Sequence, residues 1–171
     1  MKTLIIYSTK GGVSRQCAEM LADKLSPSIE VDIYDIQDNP PSPEDFDVAV
    51  IGGSIRMGAL NKKLRAYLKA NASALSNMPT AIFMCCGFTE SFDDYVKMQI
   101  SPSITASLGV HCFGGELKPE KLKGLDKLIV RIVRSSLKTE DADFPNEDRS
   151  PLPEIVPENI YRLADKIREL L

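Results

Sequence analysis

The chain has 171 residues, 43% of them hydrophobic and 26% charged, with a formal net charge of -3 and an isoelectric point near 5.3. That length suits one domain with a sizeable core, and the composition is the one expected of a soluble globular protein; the acidic balance argues against nucleic acid as a partner. No apolar run approaches the roughly 18 residues of a membrane span, and the first residues enter an apolar segment without a signal-peptide pattern, so a cytoplasmic location is expected.

Residues 4–7 are aliphatic or aromatic without alternation, which predicts a strand covered on both faces of a parallel sheet. From Val13 the period changes, and Val13, Cys17, Met20, Leu21 and Leu25 recur at helical spacing. Between them lies Ser8-Thr9-Lys10-Gly11-Gly12-Val13-Ser14. A loop from a strand's carboxyl end into a helix's amino end carries unpaired amide N–H groups and the positive end of the helix dipole, and so attracts phosphate. Gly11 and Gly12 let the backbone approach, while Ser8, Thr9 and Ser14 offer hydroxyls. The same residues also allow an ordinary turn with Ser14 near an N-cap. The stretch lacks the Gly-Lys-Ser/Thr ending of a P-loop and the G-x-G-x-x-G spacing of a dinucleotide fingerprint.

Residues 29–36 alternate and predict a strand near a sheet edge, and 37–45, with Pro40, Pro41 and Pro43, predict a loop. A third apolar strand over 46–51 is expected to stop at a second glycine-rich loop, Gly52-Gly53-Ser54-Ile55-Arg56-Met57-Gly58, followed by a helix with Leu60, Leu64, Tyr67 and Leu68 on one face. A fourth strand over 80–86 ends in Gly87-Phe88-Thr89. Ser91 is placed to cap a helix over 92–108 that Pro102 interrupts or kinks, and residues 110–113 make a fifth strand closed by Gly114-Gly115. Further on, Lys127, Arg131, Arg134 and Lys138 form one stripe of a helix and Leu122, Leu125, Ile129, Ile132 and Val133 another. The acidic, proline-rich stretch 139–158 reads as a mobile loop, and a closing helix puts Ile160, Leu163, Ala164, Ile167, Leu170 and Leu171 on one face.

Strand and helix thus alternate through five strands, which predicts an α/β, doubly wound parallel sheet, one domain over 1–171 with an insertion over 118–156 near strand five. In the order 2-1-3-4-5 the strands preceding the three small-residue loops are neighbours, so the loops are expected to converge on one pocket at the strands' carboxyl ends. Cys17, Cys85, Cys86 and Cys112 form no C-x-x-C and read as buried thiols rather than metal ligands or disulfides. The only histidine, His111, reads as structural, which removes most His-based triads and zinc sites.

With these loops the sequence resembles the flavodoxin-like superfamily. The resemblance rests on Ser8-Thr9-Lys10-Gly11-Gly12-Val13-Ser14, which it implies holds the phosphate of flavin mononucleotide (FMN). It implies that Gly53-Ser54-Ile55-Arg56-Met57 lies on one side of the ring and Cys86-Gly87-Phe88-Thr89 on the other. Within the superfamily the chain is most similar to menaquinone-dependent protoporphyrinogen oxidases, through residues 50–58 and through 114–119 continuing to Ser136. Departures include Ser14 where Thr is common, the absence of Trp, and an acidic rather than basic segment after strand four. A cation beside the ring favours the fully reduced anion and two-electron chemistry, so Arg56 is the expected catalytic residue, with solvent or an acidic neighbour as its alternative partner. The expected function is a two-electron oxidoreductase acting on a quinone or protoporphyrinogen-like substrate; the alternative is an electron carrier docking on redox proteins. The basic stripe within 121–138 is also compatible with peripheral contact with the inner face of the membrane, with a solvated outer face, or with neutralisation by the acidic loop.

Overall fold

Residues 1–87, 91–115 and 154–171 are described by a computed structural model of the chain. Five strands, β1 (Lys2–Ser8), β2 (Glu30–Asp35), β3 (Val48–Ser54), β4 (Thr80–Cys85) and β5 (Gly109–Cys112), pair in the order β2-β1-β3-β4-β5. Every pairing is parallel. The helices are α1 (Val13–Leu25), α2 (Lys62–Ala70), α3 (Ala72–Ser76), α4 (Phe92–Gln99) and α5 (Pro157–Arg168).

The unbroken apolar character of β1 follows from burial on both faces. Ile5 and Tyr7 join Val48, Val50, Ala81 and Phe83 in a core completed by α1 and α5. Leu4 and Ile6 join Ala49, Ile51, Ile82 and Met84 in a second core covered by α2 and α3, through Leu64, Leu68 and Leu75. Each buried Val, Leu, Ile, Phe or Met side chain among them, withdrawn from water, contributes about 1.5–3 kcal/mol. The predicted alternation of strand two also matches its place, since β2 is an edge strand with no fully buried residue. Two 3-10 turns, Ile36–Asp38 and Pro43–Asp45, punctuate the loop that follows, and the Tyr67 hydroxyl donates to the Pro41 carbonyl at 2.7 Å.

Four expectations need correction. The third strand does not stop at Gly52 but carries its ladder through Gly52 and Gly53 to Ser54. The fourth helix ends at Gln99, not at 108: Ile100 is already extended, at φ -101° and ψ 124°, and the approach of Pro102 disfavours a helical residue before it. Ile100, Ile104 and Ala106 still reach the second core, from irregular backbone, which is why their spacing mimics a helix. The last helix starts at Pro157, inside the stretch expected as acidic loop, and stops at Arg168, so Leu170 and Leu171 are 43% and 69% exposed rather than docked. Finally, Ser91 precedes α4 without bonding it through its side chain. The basic stripe, the acidic loop up to residue 153, Phe88 and Thr89 lie outside the described residues. None of the described helices is long and apolar enough to cross a membrane.

Candidate functional site

The strand register brings the three tips together. Ser8, at the end of β1, pairs with Gly53 of β3, and Ser54 pairs with Cys85 of β4. Each tip therefore lies within one strand spacing of the next, as the sequence reading expects of loops that share a pocket.

In the first tip, Thr9 Oγ1 accepts the Gly12 N–H at 2.9 Å, tightening the turn. Gly12, not Ser14, occupies the N-cap position, at φ 93°, a left-handed conformation that favours glycine. The first intrahelical bond is donated by Gln16 to the Gly12 carbonyl at 2.9 Å. The amides of Val13, Ser14 and Arg15 stand ahead of it and form the positive end of the dipole. A methyl group built on Gly11 or Gly12 would meet nothing within 4 Å, so the loop borders open space. Lys10 is exposed, and Arg15 is already engaged with Glu19 at 2.8 Å. Amide donors at a helix start that border open space are chemically matched to a phosphate.

Ser14 is fully buried, and its hydroxyl is shared with that of Ser54 at 2.6 Å, joining the first tip to the second. Beyond Ser54, the Ile55 amide donates to the Cys85 carbonyl at 2.9 Å. Arg56 and Ala59 then exchange both backbone bonds, at 2.9 and 3.0 Å, around a two-residue turn. Met57 and Gly58 are both left-handed there, at φ 49° and 76°, as a hairpin turn of this length requires. The half-buried Arg56 thus leaves from a backbone fixed beside the end of β4, while Met57 is 84% exposed at the tip.

Sequence reasoning missed Gln99. Its side-chain amide donates to the Gly58 carbonyl at 3.1 Å and accepts from the Leu60 amide at 3.1 Å, so the end of α4 clamps the turn that carries Arg56 and Met57. Nothing in the local sequence signals a contact across about forty positions. It also missed that the four thiols meet in pairs, Cys85 with Cys17 at 3.8 Å and Cys86 with Cys112 at 3.6 Å. Cys85 is pushed well up, first because it donates to Cys17 and then by burial. Cys112 is pulled down to about 7, chiefly by the bond to Cys86 and also by the Gly114 amide, against the opposing effect of burial. Two surface depressions, one lined by Met20, Asp23, Lys24 and Tyr161 and one by residues including Met1, Asp47 and Pro79, lie away from the carboxyl edge; the hydrogen-bonding of the strand tips, not concavity, marks the site. Among the described residues no cluster of His, Cys, Asp or Glu could hold a metal ion.

The profile of the flavodoxin domain family matches residues 4–143. The chain belongs to that family. Its redox cofactor is FMN. A flavodoxin from Streptococcus pneumoniae superposes with a TM-score of 0.54 at 14% identity, each chain covered completely, and flavodoxin 1 from Bacillus cereus with 0.51 at 16% identity, covering 82% of this chain and all of the other; both likenesses concern the fold alone. Among curated relatives, the protoporphyrinogen IX dehydrogenase [quinone] of Escherichia coli K12 is 36% identical over 85 residues, 48% of this chain and 47% of that protein. The protein of the same name from Leishmania major is 26% identical over 142 residues, 77% of this chain and 62% of that protein. The match therefore spans about half of the bacterial relative's length and less than two thirds of the other's.

Proposed function

We propose that this flavodoxin-family domain is a two-electron oxidoreductase acting on a quinone or a protoporphyrinogen-like substrate. The observation that carries this reading is the likeness to protoporphyrinogen IX dehydrogenases of two distant organisms, one of them covering 77% of this chain. Bound FMN supplies the redox centre. The tip Ser8-Thr9-Lys10-Gly11-Gly12-Val13-Ser14 receives its phosphate, the amides ahead of α1 donating to the oxygens and the hydroxyls of Ser8 and Thr9 supplementing them. Gly53, Ser54, Ile55, Arg56 and Met57 line one side of the ring, and Cys86 and Gly87 line the other.

Arg56 is the catalytic residue in this reading. Its guanidinium offsets the negative charge that develops at the ring as an electron pair arrives, and its fixed backbone limits the reorganisation needed to do so. A buried or half-buried cation beside the ring favours complete reduction over a one-electron state. Anionic surroundings would instead suit a carrier that passes electrons singly to a protein partner.

Two experiments test the assignment. In an anaerobic reductive titration, the spectrum at half reduction should be the average of the oxidised and fully reduced spectra; a third species accumulating at that point would indicate a carrier and contradict the role of Arg56. Arg56→Ala should keep FMN bound and slow its reduction by a porphyrinogen, or its reoxidation by a quinone, by about 10- to 100-fold. Release of FMN with unchanged turnover per bound cofactor would make Arg56 a binding residue only.

A further inference from the structure

All four cysteines of the chain converge near the carboxyl end of β4, yet the two pairs they form differ in one respect. Cys17 is completely buried and Cys85 is 3% exposed, so that couple is sealed between α1 and the sheet. In the other couple Cys86 is 3% exposed but Cys112 is only half-buried, so Cys112 is the more accessible residue of the two. Cys86 lies one residue past the end of β4 and Cys112 is the last residue of β5. Met84 pairs with Cys112, and the two-residue repeat of a strand puts Cys86 on the same side as Met84. The sulfurs are 3.6 Å apart, in contact, and a disulfide bond of about 2.05 Å requires them to close by roughly 1.5 Å at two strand ends where the ladder is finishing.

We propose that Cys86 and Cys112 are a thiol–disulfide exchange site that takes low-molecular-weight disulfides, with Cys112 as the attacking sulfur and Cys86 as the resolving one. The Cys112 thiol gives its proton to solvent, and the thiolate attacks one sulfur of a glutathione disulfide, forming a mixed disulfide at Cys112 and expelling one glutathione thiolate. Cys86, after losing its own proton, attacks the Cys112 sulfur and expels the second. The protein dithiol is thereby oxidised by two electrons, the reagent is reduced to two glutathione thiolates, and these take up the two protons released. The hydrogen bonds that Cys112 receives from Cys86 and from the Gly114 amide stabilise the thiolate the first step needs. The exchange takes no electrons from the flavin, although Cys86 is also one of the residues proposed to line the ring.

The test uses the whole chain as purified, treated with oxidised glutathione and analysed by intact mass and peptide mapping. The wild-type chain should lose two hydrogens through a Cys86–Cys112 link, with Cys17 and Cys85 still reduced. Cys86→Ser should stop one step earlier, with one glutathione on Cys112, and Cys112→Ser should acquire neither. In the wild type, Cys112 should react on the order of tenfold or more faster than Cys17 or Cys85. A wild-type chain that stays fully reduced, a first link through Cys17 or Cys85, or a Cys86→Ser chain that carries no glutathione would each overturn the proposal.

Discussion

The first and second strand tips look alike as sequence, each an apolar run meeting paired glycines, yet the glycines serve opposite purposes. In the first, Gly12 makes a turn: it is left-handed, and a side chain at Gly11 or Gly12 would project into open space. In the second, Gly52 is inside β3, and a methyl group there would sit 2.1 Å from the Phe83 carbonyl oxygen and 2.4 Å from its ring. The turn comes five residues later, at Met57 and Gly58. One pair of glycines bends the chain where a ligand can approach. In the other pair Gly52 lets β4 and a buried aromatic ring, itself stacked on Phe113 at 4.9 Å, lie close to β3, and Gly53 makes room for Ser8 of β1.

Three substitutions test this contrast, in descending size of effect. Gly52→Ala places a methyl group in contact with main chain that cannot withdraw, and it should cost at least ~3 kcal/mol or prevent folding altogether. A urea midpoint close to that of the wild type would break the distinction. Gly12→Ala keeps its space but must hold a left-handed residue, and should cost about 1–2 kcal/mol by the same measurement. Gly11→Ala meets neither obstacle and should shift stability by less than ~0.5 kcal/mol, so a larger loss there would mean that the first loop is packed rather than open.

A smaller effect distinguishes β5 from the site beside it. Burial pushes the His111 imidazole below its ordinary 6.5, against the raising effect of its hydrogen bond to the Leu108 carbonyl, while Lys166 adds to the lowering. The folded chain therefore binds the proton less readily than the unfolded one. The stability this confers is complete above pH 6.5 and is lost as pH falls through the folded-state midpoint. Because the sequence has a single histidine, its imidazole proton resonance should titrate alone, with a midpoint below 6.5. A midpoint at or above that value would mean the ring is solvated.

The legible parts of the fold were those whose cause is local. The run at Leu4, Ile5 and Ile6 announces a strand because both of its faces are covered, and the change of period at Val13 announces a helix that does begin there. A parallel sheet follows from alternation, the order 2-1-3-4-5 goes with the fold the sequence resembles, and the register sets the ends of β1, β3 and β4 side by side. What could not be read depends on distant partners. Gly52 stays inside the ladder, against Phe83 thirty-one positions on; Ile100 and Ile104 keep helical spacing although the core takes them from irregular chain. Gln99 reaches back to Gly58, and Cys17 meets Cys85 across 68 positions, contacts that only the folded sheet brings about. Ser14 illustrates both sides: its place at the start of a helix is legible, but its hydroxyl turns inward to Ser54.

The central claim is that amide donors ahead of α1 hold the cofactor by its phosphate. Calorimetric titration of the flavin-free chain with FMN and, separately, with riboflavin measures this directly, because the two ligands share the ring and differ in the phosphate. One FMN should bind per chain, about a hundredfold more tightly than riboflavin, a difference of about 2.7 kcal/mol. Equal affinities, or no heat with FMN, would contradict it.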